Sequence, residues 1–450
     1  MQFTRNLEQG EEYTFSLIGN LLSSEHVADP YNQAERLAIY ANLQGHDALL
    51  AAHNQAWEEL WKSDIIIEGD EQVQQDIHSM MYHLYSFVRE GTNYSLSPMG
   101  LSGLGYMGHV FWDTEIWMYP SLLLLHPEIA KGLIEYRYQR LEAAKQNAFL
   151  HGYKGAMYPW ESAASGEEET PVWALSGPYE HHITADVAIA AWNYYLVTRD
   201  KDWLKEKGLP ILQNTAAFWE SRVTPDNGKY EIKNVVCADE WAENVDNNAY
   251  TNATAKLNLE YANEAARTLG LPVNRKWKEI ADNLVFVKME NGVTREHDTY
   301  TGQSIKQADA NLLAYPLKVI TDQTQISKDL KYYQDKVPHA NTPAMTQAIF
   351  SLLYSRLGDG AEAYKWFKDA YEQNLLPPFR VVAETKGGTN PYFITGAGGV
   401  LQTVMMGFAG LDISAEGGIK QIKSVMPPHW KKLTITGVGT EKKTYTVTNK

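Results

Sequence analysis

Cysteine is almost missing from this chain: Cys237 is the single one in 450 residues. No intrachain disulfide can form, so cysteine usage leaves the redox compartment open. Long apolar runs are missing as well. The stretch around Ser121 to His126 falls far short of the roughly 18 residues that a membrane span needs, so no membrane partner is expected. Basic charge is in deficit: 40 Lys and Arg stand against 55 Asp and Glu, a net charge of −15. Such a chain repels phosphate backbones, which argues against nucleic acid as a partner. No GxxxxGK[ST] or GxGxxG run offers a phosphate cradle. No second histidine stands at metal-ligand spacing from His109, and the Asp/Asn spacing after Asp239 does not match a calcium loop. Neither a cofactor nor a metal is expected. The opening MQFTRNLEQGEEY is polar, so no signal peptide is expected there, although the compartment stays open.

Aromatic side chains are abundant: 13 Trp, 27 Tyr and 12 Phe. They suit either a large core or flat stacking surfaces of the kind sugar rings use. With 44% apolar and 21% charged residues the chain has the composition of an ordinary globular protein. Its ends read as β. Residues 10–20 alternate Tyr, Phe and Leu with polar partners, and residues 431–450 read as a Thr- and Val-rich hairpin. Between them the apolar spacing is helical, over 32–57 (broken near Gly45) and then through twelve further segments, among them 73–90, 114–126, 181–198, 250–269, 306–317, 343–357 and 396–410. Six antiparallel helix pairs closing on themselves would make an (α/α)6 barrel; an irregular helical bundle fits the same count. Loops 91–113, 151–180, 222–249, 287–305 and 375–395 are long and rich in Gly, Pro, Trp and acids. They recur at alternate connections, which in a barrel of helical hairpins share one rim.

Five clusters on these loops could carry chemistry. In Gly108-His109-Val110-Phe111-Trp112-Asp113, an indole stands beside a carboxylate at a helix start, although Asp113 also suits a helix cap. In Tyr158-Pro159-Trp160-Glu161, Trp160 offers a platform, or a packed turn. Residues Asp239-Glu240-Trp241-Ala242-Glu243-Asn244-Val245-Asp246 crowd acids beside an indole just before a helix. Each buried member would need a partner, a poor arrangement for folding alone. A carboxyl held against Trp241 would have its charged form disfavoured, as a general acid requires. Lys306-Gln307-Ala308-Asp309 could reach the rim, or form an exposed first helical turn. Glu384 ends the apolar run Val381-Val382-Ala383 and enters the Gly-rich loop Lys386-Gly387-Gly388, which puts one carboxylate where little bulk surrounds it.

GHVFWDTEIWMYP, KGAMYPWES, DEWAENVDNNAYTN and KQAD, in this order, resemble the motifs of glycoside hydrolase family 65, over about residues 10–412. The resemblance implies a mainly α protein, an (α/α)6 barrel with remnants of flanking β-domains. Residues 1–30 would end an N-terminal β-sandwich, 31–62 a helical linker, 63–412 the barrel, and 413–450 the start of a C-terminal β-domain. It implies Glu240 as proton donor to the glycosidic oxygen, with Trp112, Asp113, Trp160, Lys306 and Gln307 holding glucose; Trp241 is expected to complete the wall. The family holds inverting phosphorylases and inverting hydrolases. Phosphorylases carry a segment resembling T-H-x-S-S-L-S; here Pro338-His339-Ala340-Asn341-Thr342-Pro343-Ala344 lacks the serines. Another, resembling G-I-H-x-A-S-M-G-G, is matched by Tyr392 to Gly399 without His or Ser. Glu384 resembles the general base of the hydrolytic branch. Water needs a base to take its proton, whereas phosphate already carries charge. The expected activity is an inverting α-glucosidase acting on a glucose-terminated, kojibiose-like α-1,2 disaccharide or glycoconjugate. A phosphorylase or a non-catalytic sugar-binding fragment remain as alternatives, and the oligomeric state is not legible.

Overall fold

The computed structural model describes residues 2, 4–24, 27–92, 94–338 and 342–449, which divide into two units, Met1–Lys62 and Ser63–Lys450. In the first unit the helical spacing of 32–57 becomes two helices, Pro30–Gln44 and His46–Leu60. Asp29 caps the first by accepting from the Asn32 amide. Gly45 separates them with φ +82°, a conformation that side chains resist and glycine accepts. The reading of 10–20 as a strand is corrected: these residues form no regular element. No strand pairs with them among the described residues, and an unpaired strand leaves its backbone groups without ladder partners.

The second unit is mainly helical. One strand, Ile65–Glu68, pairs antiparallel with Lys432–Val438, which pairs in turn with Lys443–Thr448. Ile65 and Ile67 are buried while Ile66 and Glu68 are exposed, the period of a half-buried strand. The hairpin expected at 431–450 is thus present, and it belongs to the same unit as the helices.

The helices are of two kinds. His182–Thr198, Thr346–Leu357 and Ile394–Gln402 are buried nearly all round. Arg275–Asn283, Gln323–Tyr333 and Gly360–Asp369 bury a single stripe each: Trp277, Ile280 and Ala281 in the first, and Ala363, Trp366 and Phe367 in the last. All-round burial marks an inner layer, and a stripe at helical spacing marks an outer one. Close approach within the inner layer depends on glycine. A Cβ on Gly398 would lie 2.5 Å from the Trp117 carbonyl oxygen, so its absence lets Ile394–Gln402 seat against Asp113–Met118.

Asp113–Met118 is a π-helical turn that runs into the helix Tyr119–Leu125. Such wide turns concentrate at functional sites. A buried ion pair braces it. Arg137 donates to both Glu115 carboxylate oxygens, at 2.7 and 3.0 Å, and to the Phe111 carbonyl at 3.1 Å. The helix expected at 306–317 is corrected to one 3-10 turn, Ala310–Leu313. The amides of Lys306 and Ala308 bond the side chains of Asp239 and Thr346. Pro316 has no N–H to extend a helix and disfavours the α conformation at the residue before it.

Candidate active site

Segments buried along most of their length begin at Asp113, His182, Ala249, Ala310, Thr346 and Ile394. A cavity of about 140 Å³ is lined by residues at or shortly before most of these starts. Trp112 and Asp113 open the first; Trp160 and Glu240 lie on the loops before the second and third. Lys306 and Gln307 precede the fourth, Pro343 and Met345 the fifth, and Glu384 and Phe393 the sixth. Backbone N–H groups at helix starts carry partial positive charge, which partly offsets the carboxylates gathered there. Larger clefts exist elsewhere on the surface, but the sequence-predicted residues meet in this one.

Seven of the eight expected residues line it: Trp112, Asp113, Trp160, Glu240, Lys306, Gln307 and Glu384. Trp241 does not and is 51% exposed, which corrects the expectation of a third indole wall. The cause is local. Asp239 accepts at Oδ1 from the Trp241 amide (3.3 Å), and its carbonyl accepts from the Ala242 amide (2.8 Å). In this tight turn the side chains of Glu240 and Trp241 diverge, so Trp241 gives the Glu240 carboxyl no apolar cover. The same Asp239 oxygen accepts from the Lys306 amide at 2.6 Å, tying the two loops together. Burial pushes the Asp239 carboxyl up to about 6.

Lys306 Nζ lies 2.9 Å from Glu240 Oε1. Gln307 Nε2 donates to the Ala238 carbonyl (2.5 Å) and, more weakly, to the same Glu240 oxygen (3.4 Å). Burial opposes charge on Lys306, but the adjacent Glu240 outweighs it and holds the ammonium above the usual lysine value. Asp113 accepts from the Thr395 hydroxyl at 2.6 Å. Burial pushes its carboxyl up to about 7; the Thr395 bond opposes this, and the charges of Glu240 and Glu384 add to it. Elsewhere in the lining, Glu384 accepts from the Tyr106 hydroxyl at Oε1 (2.5 Å) and from Asn390 Nδ2 at Oε2 (3.2 Å).

The indoles rest on a buried ionic layer. His182 lies edge-on to Trp112 and Trp160, at ring-centroid distances of 4.9 and 5.4 Å. Its Nδ1 faces Asp186 Oδ2 at 2.7 Å and its Nε2 faces Glu180 Oε1 at 3.1 Å. Tyr250 donates to the other Asp186 oxygen. Burial disfavours the imidazolium, but Asp186 and Glu180 override it and hold His182 up to about 10. Burial raises Glu180 to about 8. The neighbouring His181 instead pairs with the Pro178 carbonyl and Arg222, so the two histidines serve different partners. Among the described residues no group of three or more His, Cys, Asp or Glu is arranged to hold a metal ion.

Two other candidates are paired outside the lining: Glu161 Oε2 lies 2.8 Å from His109 Nδ1. The stretch Pro338 to Ala344 is described at Pro338 and from Thr342 onward; His339, Ala340 and Asn341 lie outside the described residues. Sequence reasoning missed Tyr106, Pro98 and Met345, and gave no role to Phe111, Pro343 and Phe393. Tyr106 had a signal, being the aromatic residue within the glycine-rich Gly103-Leu104-Gly105-Tyr106-Met107-Gly108. The apolar liners had none, because nothing in their spacing separates them from core.

Carboxylates on separate loops, an ammonium, an amide and two indoles around one small cavity can do acid–base work on a flat, hydroxyl-bearing ring. The comparisons agree with that class. The model of the glycosyl hydrolase family 65 central catalytic domain matches residues 78–305, a span that holds Glu240 and ends just before Lys306. The chain belongs to glycosyl hydrolase family 65. A kojibiose hydrolase of Flavobacterium johnsoniae is 68% identical over the whole of this chain, which spans 66% of that relative's length. A kojibiose phosphorylase of Thermoanaerobacter brockii is 34% identical over 87% of this chain and 57% of its own. A solved human-microbiome protein described as a kojibiose phosphorylase superposes with a TM-score of 0.80 at 20% identity, covering 94% of this chain and 64% of that one.

Proposed function

We propose that this chain is the catalytic part of an inverting α-glucosidase that hydrolyses a glucose-terminated disaccharide or glycoconjugate, with an α-1,2 link of the kojibiose type preferred. The observation that carries this reading is Glu384 in the wall of the cavity that holds Glu240, with each of its oxygens held by a donor. The two residues come from loops far apart in sequence and serve one ring-sized space. The greater identity to the hydrolase than to the phosphorylase supports the same choice. Six inner helical starts around one cavity, with an outer layer of striped helices, support closure into an (α/α)6 barrel.

In this reading glucose sits between Trp112 and Trp160, and its hydroxyls reach Asp113, Lys306 and Gln307. Once a sugar hydroxyl draws Lys306 away, Glu240 takes a proton from solvent and gives it to the glycosidic oxygen. Glu384 takes a proton from a water on the opposite face of the ring, and the oxygen of that water bonds the anomeric carbon as the glycosidic bond breaks. Configuration inverts, which requires room for one water between base and sugar. The acidic lining discourages phosphate as a competing nucleophile. The test is a panel of glucosyl disaccharides with and without phosphate. The expected result is phosphate-independent glucose release, fastest on the α-1,2 link; glucose 1-phosphate formed only when phosphate is added would contradict the reading.

A further inference from the structure

We propose that Tyr106 positions the nucleophilic water as the partner of Glu384, an inference that rests on the hydrolytic reading above. The hydroxyl of Tyr106 donates its single hydrogen to Glu384 Oε1 at 2.5 Å. A phenol has one hydrogen to give and lone pairs to accept with. With its hydrogen committed, the Tyr106 oxygen can bond a third group only as an acceptor. Partial burial, with the residue still 40% exposed, and the charge of Glu384 hold its pKa above the usual tyrosine value, so the hydroxyl keeps its hydrogen. Tyr106 and Glu384 both line the cavity.

A water bound there has two hydrogens and meets two acceptors, a carboxylate oxygen and the Tyr106 oxygen. Pointing both hydrogens at them turns a lone pair of the water away from both, toward the ring. One hydrogen passes to Glu384 as the new C–O bond forms; the other stays on the product hydroxyl. Glu384 retains capacity for this, because a carboxylate offers about four lone-pair sites and Tyr106 and Asn390 use one on each oxygen.

The backbone favours this role over incidental contact. Tyr106 and Met107 have φ of +55° and +53°, in the left-handed region that non-glycine residues avoid, and Gly108 follows at +78°. Strain of this kind persists where the surroundings over-determine it, and it concentrates at working sites. The ring also packs edge-on to Phe111 at 5.3 Å, one residue before Trp112.

The test is Tyr106→Phe, which keeps the ring against Phe111 and removes only the hydroxyl. With the α-1,2 disaccharide, kcat should fall roughly 10- to 100-fold while KM stays within about 3-fold, the loss expected of a misplaced reactant. The melting temperature and glucose affinity should match those of the wild type. α-Glucosyl fluoride, whose leaving group needs no proton from Glu240, should show the same fall, because the defect lies on the water side. An unchanged kcat, or a raised KM with kcat retained, overturns the role of Tyr106. The reading it rests on is checked separately in the unsubstituted protein: a requirement for phosphate or release of α-glucose overturns that reading whatever the variant does.

Discussion

Asp113 and the two proposed catalytic glutamates carry the most direct consequences. Glu240→Gln and Glu384→Gln should each lower kcat/KM by roughly 10² to 10⁴-fold, the span that general acid–base groups contribute. Steady-state kinetics on the α-1,2 disaccharide check this, and a variant within 10-fold of wild type would remove its residue from the proposed role. Asp113 gives a pH signature. Its carboxyl, buried and pushed up to about 7, gains its charge as pH rises through neutrality. The anion is the stronger acceptor for a sugar hydroxyl. Glucose should therefore bind more tightly at pH 8 than at pH 6, and Asp113→Asn should abolish that dependence in titration calorimetry. An unchanged dependence in the variant would assign it to another group. Composition drew attention to these residues, because indoles, acids and amides crowd at loop ends; their roles were legible only through the family resemblance. Trp241 shows the limit of that logic. Composition places it beside Glu240, but a turn of two backbone hydrogen bonds decides which neighbour faces inward, and no residue type announces that.

Helix packing delivers these groups and can be tested through Gly398. Alanine there would gain up to about 1 kcal/mol of helix propensity. It would also drive a methyl to 2.5 Å from the Trp117 carbonyl oxygen, where backbone must shift. Overpacking of this kind costs about 1–3 kcal/mol, so the net effect should be destabilising. It should also loosen the Thr395–Asp113 bond, because Thr395 rides on the same helix. A lower melting temperature together with weaker glucose binding is expected for Gly398→Ala; a more stable variant would mean that propensity wins. The ionic layer under the indoles gives a second test. His182 is raised from 6.5 to about 10, so the fold prefers its cation. That contribution is complete below pH 6.5 and is lost as pH climbs through 10. The melting temperature should decline over that interval, and His182→Gln should flatten that decline while lowering stability throughout. An equal slope in calorimetry would locate the pH dependence elsewhere. Among the elements themselves, the long amphipathic helices were readable from spacing. Residues 306–317 were not: their apolar spacing is helical, but only Ala310–Leu313 turns, and Pro316 bars continuation of a helix through it.

Taken as a molecule, the second unit places inner helical starts around a small acidic cavity and gathers long loops there. The helical pattern and the terminal hairpin could be read locally. The pairing of that hairpin with Ile65–Glu68, more than 360 residues away in sequence, could not, since register depends on the partner. The strand expected at 10–20 failed for the related reason that alternation alone does not supply a neighbour. No helix among the described residues is long and apolar enough to cross a membrane. The central claim is that water, activated by Glu384, attacks the anomeric carbon while Glu240 releases the leaving sugar. Proton NMR of the first glucose anomer released from an α-1,2 disaccharide in phosphate-free buffer tests it most directly. The account predicts β-glucose appearing first and relaxing to the equilibrium mixture. α-Glucose appearing first, or no glucose until phosphate is supplied, would contradict it.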